Sequence, residues 1–288
     1  MPMKVGNIEL YMGPHQVGGD DDLLDTIVRF IDGAKKRLYI AVQELDSRPI
    51  AEAIIRAKQR KVTVKLVLEA DYLRAKRTAQ DPFETGGPHE KNRALHDAVL
   101  RANIKVNSDY NPQIFHQKFM VRDSESVLTG STNFTEYGTT ENLNHIVIVH
   151  DAAVARIFSR EFTEIQQGHF GKLNEGHDPR PQEVMVSQLR VKTLFAPDHN
   201  PEMEIMKQIA KARSGSISPS LPLPNHRVSM ISWCWPRTRV SRCGEHCTNL
   251  RPTKSGRPRT RWPRPGWSST WCQRPGFRAR GRASCITS

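Results

Sequence analysis

Segments typical of helices and of strands alternate between residues 20 and 167, and this alternation limits the possible folds more than any other feature. Apolar residues recur at helical spacing from 20 to 36, and the run 37–45 has the character of a buried strand. The same pair of patterns returns at 48–60 and 61–70. Alternation on this scale predicts an α/β fold, a mixed sheet with helices packed on both faces.

The remaining segments up to residue 167 continue the alternation. A stretch rich in Gly and Pro, 78–91, is predicted to be a loop, and a helix is predicted at 92–102. The segments that follow predict strands at 104–109, 113–123, 126–133 and 142–151, and an amphipathic helix at 152–167.

Six residues between positions 116 and 133 form a spaced pattern: His116, Lys118, Asp123, Gly130, Ser131 and Asn133. Such a match has a chance frequency on the order of 10⁻⁸ per starting position. Strand alternation puts His116 and Lys118 on one face, where an imidazole could attack phosphorus and an ammonium could hold phosphate oxygens. Ser131 and Asn133, also two apart, would be neutral donors, and Asp123 would orient a partner or brace the turn. The alternative is an edge strand with solvated polar side chains.

The pattern resembles that of the phospholipase D superfamily, from about residue 20 to residue 167, and the string GSTNFT is a further similarity. The resemblance implies a phospholipase D-like fold and a metal-independent phosphodiesterase without a cofactor. In that family two such motifs meet at one site, where one histidine forms a phosphohistidine and the other protonates the leaving group. Carried over, His116 is the nucleophile or its acid partner, Lys118, Ser131 and Asn133 contact phosphate, and Asp123 completes the catalytic motif in a structural role.

One position departs from the family pattern. Many members carry a carboxylate soon after the motif that orients the histidine, whereas this chain has Asn142 and Asn144 there. Glu141 is the nearest acid and is therefore assigned the orienting role. The acidic run 20–22 is expected to cap a helix rather than to bind a cation.

No second His-x-Lys follows residue 118, although the family brings two motifs to one site. A homodimer that joins two copies of His116 would supply the pair. Without it, the chain would be a catalytically dead truncated product. Residues 201–212 resemble the helix before the first strand, which predicts the start of a second repeat there.

Residues 213–288 have a composition that fits no packed domain, with all five Trp, all five Cys and a single acidic residue. A frameshift near Arg213 would account for it, because permitted codons for 217–235 give a strand, a turn and a helix start in the shifted frame. The same frame converts 284–288 into Leu-His-His-Lys-Leu, a hidden His-x-Lys. The alternatives are a basic arm that binds nucleic acid, and a zinc site at Cys243, His246 and Cys247.

These patterns predict a phospholipase D-like catalytic repeat at 1–170, a linker at 171–200, the start of a second repeat at 201–212 and a frameshifted, disordered tail at 213–288. The first choice of substrate is a phospholipid whose headgroup is removed or transferred, and the alternative is a nuclease. Residues 1–212 contain 28 basic and 29 acidic residues, which disfavours a nucleic-acid partner. With neither a secretory signal nor a membrane span in the sequence, a cytoplasmic location is expected.

Overall fold

A computed structural model describes residues 2–74, 85–171 and 180–211. The elements in chain order are β1 (Met3–Val5), β2 (Ile8–Gly13), α1 (Leu23–Asp32), β3 (Arg37–Val42), α2 (Arg48–Gln59), β4 (Thr63–Glu69), α3 (Glu90–Arg101), β5 (Lys105–Asp109), β6 (Lys118–Arg122), β7 (Ser126–Gly130), α4 (Glu136–Thr140), β8 (Asn144–Val149), α5 (Ala152–Gln166), β9 (Glu183–Val186), β10 (Leu189–Lys192) and α6 (Pro201–Lys211). None of the helices in these ranges is long and apolar enough to cross a bilayer.

One mixed sheet of eight strands forms the centre of the fold, in the order β1-β2-β8-β7-β6-β3-β4-β5. β3, β4 and β5 run parallel to one another. β6 pairs antiparallel with β3, and the strands beyond it, β7, β8, β2 and β1, continue antiparallel. The mixed α/β architecture predicted from the sequence is confirmed.

Strand β3 shows how the sequence builds a core on each face of the sheet. Leu38, Ile40 and Val42 are fully buried in one cluster, which also contains side chains of α1, α2 and α3. Ala41 belongs to a second cluster on the other face, where α5 supplies Phe158. Alternate residues therefore serve opposite faces, and both faces are covered by helices.

The acidic run before α1 has the expected capping role. Asp22 is the N-cap of α1, and its carboxylate accepts a hydrogen bond from the backbone N–H of Asp25 at 2.8 Å. Its neighbour Asp21 accepts one from the backbone N–H of Met12 at 2.9 Å. The run thus satisfies a free N–H of the helix end and ties α1 to β2.

The predicted linker 171–200 contains structure of its own, which corrects that prediction. β9 and β10 form a hairpin, and Val186 and Phe195 are buried against the cluster under α5. Ser187 and Gln188 form the turn with φ of 48° and 68°. Positive φ at both turn residues is usual for Asn-Gly, so Ser-Gln gave no hairpin signal in the sequence.

Two predicted strands are shorter than expected. The strand predicted at 113–123 begins only at Lys118, because the backbone N–H of Phe115 donates to the Glu69 carboxylate at 2.6 Å instead of joining a ladder. The strand predicted at 126–133 ends at Gly130, since Phe134 pairs with the chain after β3. His116, Ser131 and Asn133 therefore lie just outside the strands.

Parts of the sequence-based description lie outside the described residues. These are the first half of the predicted loop, 78–84, and the whole of 213–288, so the frameshift hypothesis stays a prediction. The helix predicted to open a second repeat is present as α6, but its assignment to a repeat also stays a prediction.

Candidate active site

Asp123 binds the backbone that leads into β3. Its carboxylate accepts hydrogen bonds from the backbone N–H groups of Lys35, Lys36 and Arg37 at 2.9, 2.7 and 2.9 Å. Partial burial opposes ionisation, but these hydrogen bonds outweigh it and lower the pKa of Asp123. With both oxygens engaged by the backbone, Asp123 braces the turn.

Lys118 opens β6 and is only 9% exposed. Its ammonium donates to Oε1 of Gln43 at 3.0 Å and to the backbone oxygen of His116 at 3.1 Å. Burial lowers the pKa of Lys118 to about 8, and the charge of Glu44 opposes that shift. Lys118 is therefore a buried cation that carries its proton at neutral pH and loses it slightly above.

His116 precedes β6 and stays partly exposed. Its ring lines a cavity of about 210 Å³ together with Asp109, Phe115 and Glu161. Partial burial lowers the pKa of His116, and the positive charge of Lys118 lowers it further. The imidazole is therefore neutral at pH 7 and can act as a nucleophile.

Ser131 and Asn133 line a second cavity, of about 320 Å³, whose wall is polar. The Ser131 hydroxyl donates to Oδ1 of Asn144 at 2.9 Å, and the amide of Asn144 donates to the backbone oxygen of Gly138 at 2.7 Å. Oδ1 of Asn133 is buried and has no hydrogen-bond partner among the described residues. A buried oxygen without a hydrogen bond destabilises the protein, so a ligand that donates a hydrogen bond to this oxygen would bind more tightly.

The glycine of the motif is explained by the approach of the neighbouring strand. A Cβ on Gly130 would lie 2.1 Å from the backbone oxygen of His145 in β8. Ser131 then donates its backbone N–H to the same oxygen at 3.1 Å. Only glycine allows β7 and β8 to meet so closely, and this contact places Ser131 at the cavity.

A family model described as the PLD-like domain of cardiolipin synthase matches residues 27–166, a span that includes the whole motif. The match supports the similarity of residues 27–166 to the phospholipase D superfamily. The predicted resemblance is thereby confirmed for the central part of the chain.

Two curated relatives and one solved structure are similar to the phospholipase D-like domain. Phospholipase D of Rickettsia bellii is 30% identical over 125 residues, which cover 43% of this chain and 54% of that protein. Mitochondrial cardiolipin hydrolase of Xenopus tropicalis is 26% identical over 166 residues, 58% of this chain and 68% of that protein. Nuc of Salmonella typhimurium, a phospholipase D family member, has 23% identity and a TM-score of 0.45 over 58% of this chain and 95% of Nuc. The chain spans about half the length of the rickettsial relatives it matches.

Glu141 does not contact His116 in the phospholipase D-like domain. It is exposed where α4 ends, its backbone N–H donates to the carbonyl of Tyr137, and its side chain forms no hydrogen bond or ion pair within the described part of the chain. Glu44, which the sequence analysis did not single out, instead lines the cavity of Ser131 and Asn133. Its position just after the buried strand β3 was the available signal, since polar residues at strand ends often carry function.

A carboxylate cluster lies near the His116 cavity but is not assigned to the site. Glu161, Glu164 and Asp198 have oxygens within 4.8 Å of one another, a spacing that could hold a cation. Glu164 pairs with Arg160 at 3.3 Å. Acidic groups often cluster without an ion, so this cluster does not decide whether the site uses a metal. The expectation of a metal-independent site remains a prediction.

Sulfate binding should report the titration of Lys118 in the phospholipase D-like domain. Sulfate keeps its charge across the pH range, so its affinity should fall as pH rises through about 8, where Lys118 loses its proton. Calorimetry at constant ionic strength measures this. Lys118→Arg, which cannot deprotonate, should keep the affinity to pH 10, and the same decline in that variant would contradict Lys118 as an anion contact.

Proposed function

We propose that the chain is a phosphodiesterase in which His116 attacks phosphorus. A bond forms between an imidazole nitrogen and phosphorus, the bond to the leaving alcohol breaks, and a second histidine gives that alcohol a proton. Water, whose proton passes to the second histidine, then attacks phosphorus, and the bond between phosphorus and the His116 nitrogen breaks, which releases the phosphate product and restores the imidazole. The observation that carries the proposal is the buried ammonium of Lys118, held 3.1 Å from the backbone oxygen of His116.

Lys118, Ser131 and Asn133 are the proposed contacts for the phosphate oxygens. A buried cation stabilises developing negative charge more strongly than an exposed one, because little water screens it. The Ser131 hydroxyl can turn from Asn144 to a ligand oxygen, since it needs only rotation about one bond. Asp123 is assigned a structural role, in which its carboxylate holds the backbone before β3 against the turn after β6.

A phospholipid is the proposed substrate, with its headgroup removed or transferred. Relatives named phospholipase D and cardiolipin hydrolase support the choice. The near balance of basic and acidic residues in 1–212 favours a lipid over a nucleic acid, because a surface that binds a nucleic acid needs clustered Lys and Arg. A nuclease that uses the same site is the competing assignment.

A second copy of the chain is the proposed source of the second histidine. The pattern His-x-Lys-x4-Asp occurs once in the sequence, at 116–123, so a monomer has the nucleophile or the acid but not both. A two-fold dimer would bring two identical motifs together, because symmetry-related patches face each other across such an axis. A cytoplasmic location is proposed on the sequence alone.

The test uses the purified full chain, with its mass in solution recorded. We expect a dimer to hydrolyse a chromogenic phosphodiester and phospholipid vesicles at rates unaffected by EDTA. A sample quenched in alkali, which preserves phosphohistidine, should carry phosphate on the peptide that contains His116. An inactive monomer would support the truncated-product alternative, and faster cleavage of single-stranded DNA than of lipid would support the nuclease.

A further inference from the structure

The ammonium of Lys118 is buried among neutral hydrogen-bond acceptors. Its two hydrogen-bond acceptors in the described part of the chain, Oε1 of Gln43 and the backbone oxygen of His116, carry no charge. Removing an ammonium from water costs several kcal/mol, and two neutral acceptors only partly offset that cost. A buried cation at this position therefore needs a carboxylate close by.

Glu44 lies two residues after Val42, which is paired with Lys118 across β3 and β6, and its charge acts on Lys118. It follows Gln43, the residue that accepts the hydrogen bond from the ammonium, directly in the chain. Its exposure is intermediate, and burial raises its own pKa, while the charge of Lys118 works in the opposite direction. The two groups thus favour each other's ionised forms.

Contacts from two other elements fix Glu44 in place. Its backbone oxygen accepts from the N–H of Phe134 at 3.1 Å, which joins the end of β3 to the turn after β7. Its Oε1 accepts from the side-chain amide of Asn92 in α3 at 3.3 Å. The backbone of Glu44 and one of its carboxylate oxygens are therefore each held by a hydrogen bond from another part of the fold.

Glu44 also lines the cavity of Ser131 and Asn133, two of the proposed phosphate contacts. It shares that wall with Ser131, Asn133 and Asn144. Asn144 belongs to the stretch where a carboxylate is expected from the family pattern and none is present. Glu44 brings a carboxylate to the same cavity from a different strand.

We propose that Glu44 is a positioning residue that keeps Lys118 charged and oriented for the phosphate. The inference rests on the proposed function in one respect, the contact between Lys118 and phosphate. It goes beyond that function by giving a carboxylate at the end of β3 a role toward Lys118, whereas the carboxylate of the family pattern orients the histidine. Glu44 acts through Lys118 and takes no part in bond making.

Other charged groups around the pair bear on the expected titration. Asp46 lines the same cavity and raises the pKa of Glu44, whereas the charge of His89 lowers the pKa of Glu44. His116 is the further titratable group beside Lys118. Measurements above pH 7 keep His116 neutral, so that a change in the Lys118 titration reports Glu44.

The test is the titration of Lys118 in protein labelled with ¹³C at lysine Cε, with the signal assigned by its loss in Lys118→Arg. In Glu44→Gln the midpoint should fall below the wild-type value of about 8. Glu44→Asp, which keeps the charge, should titrate close to wild type. Glu125→Gln removes an exposed carboxylate in the β6–β7 turn and should leave the midpoint unchanged.

Sulfate affinity provides a second readout that loss of packing alone would not produce. At pH 6 Glu44→Gln should bind sulfate at least as tightly as wild type, because a negative charge has left the cavity. At pH 8.5 it should bind more weakly, because Lys118 has lost its proton. An unchanged midpoint in Glu44→Gln, or equal falls in Glu44→Gln and Glu44→Asp, would overturn the proposal. Absence of phosphodiester hydrolysis would count against the proposed function alone, since neither readout needs turnover.

Discussion

Phosphodiester hydrolysis is expected to fall by about 10⁴-fold or more when His116 is replaced by alanine. The change removes the proposed nucleophile, and it also removes the proton donor when a second copy supplies that group. Because both roles fall on one residue in a homodimer, no histidine remains in either motif to sustain a slower reaction. Initial rates with a chromogenic phosphodiester, at a fixed protein concentration, measure the loss.

His150→Ala is the matched control for that experiment. His150 forms a hydrogen bond with the Ser126 hydroxyl at 2.9 Å and lies near Glu9. It follows the last residue of β8, at the end of the strand opposite to Asn144. Its replacement should change the rate by less than about twofold, because it contacts none of the proposed phosphate ligands. Equal losses in the two variants would point to a general effect on folding, and full activity in His116→Ala would exclude His116 as the nucleophile.

Asp123→Ala is expected to lower the free energy of unfolding by about 2–4 kcal/mol. Three backbone N–H groups lose a charged acceptor at once, and hydrogen bonds to charged groups each contribute about 1.5–3 kcal/mol, part of which water restores at this half-buried site. Urea unfolding followed by circular dichroism measures the change. Glu125→Ala, in the same turn but exposed, should cost less than about 0.5 kcal/mol.

The pH dependence of the Asp123 contribution has a defined sign. The folded state lowers the pKa of Asp123, so its stabilisation is complete above the unfolded value of about 3.9. The contribution is lost as pH falls through the lower folded pKa. The stability difference between wild type and Asp123→Ala should therefore narrow below about pH 4, and a constant difference down to pH 2 would contradict the role of the ionised carboxylate.

The sequence predicted the elements whose information is local. β3 and α1 carry periodicities that depend on nearby residues only, and the spacing of His116 and Lys118 identifies the family without knowledge of the fold. The predicted α/β class followed because each long periodic segment formed the expected element. These features needed only the alternation of apolar and polar residues.

Features that depend on distant contacts could not be predicted in the same way. Glu44 reaches its position through Asn92, 48 residues along the chain. β6 begins at Lys118 because Glu69, 46 residues before Phe115, takes the backbone N–H that a longer strand would need. The turn between β9 and β10 is a Ser-Gln pair with positive φ. Sequence statistics do not associate this pair with hairpin turns.

The order of strands in the large sheet has a consequence for synthesis of the chain. β2, near the start, pairs with β8, and all eight strands come from residues 3–149. The sheet therefore cannot be completed until residue 149 has left the ribosome. By that point all eight of its strands have been synthesised. A change of reading frame near residue 213 would reach the growing chain only after its central sheet was complete. Such a gene could still deliver a folded phospholipase D-like domain, whatever follows it.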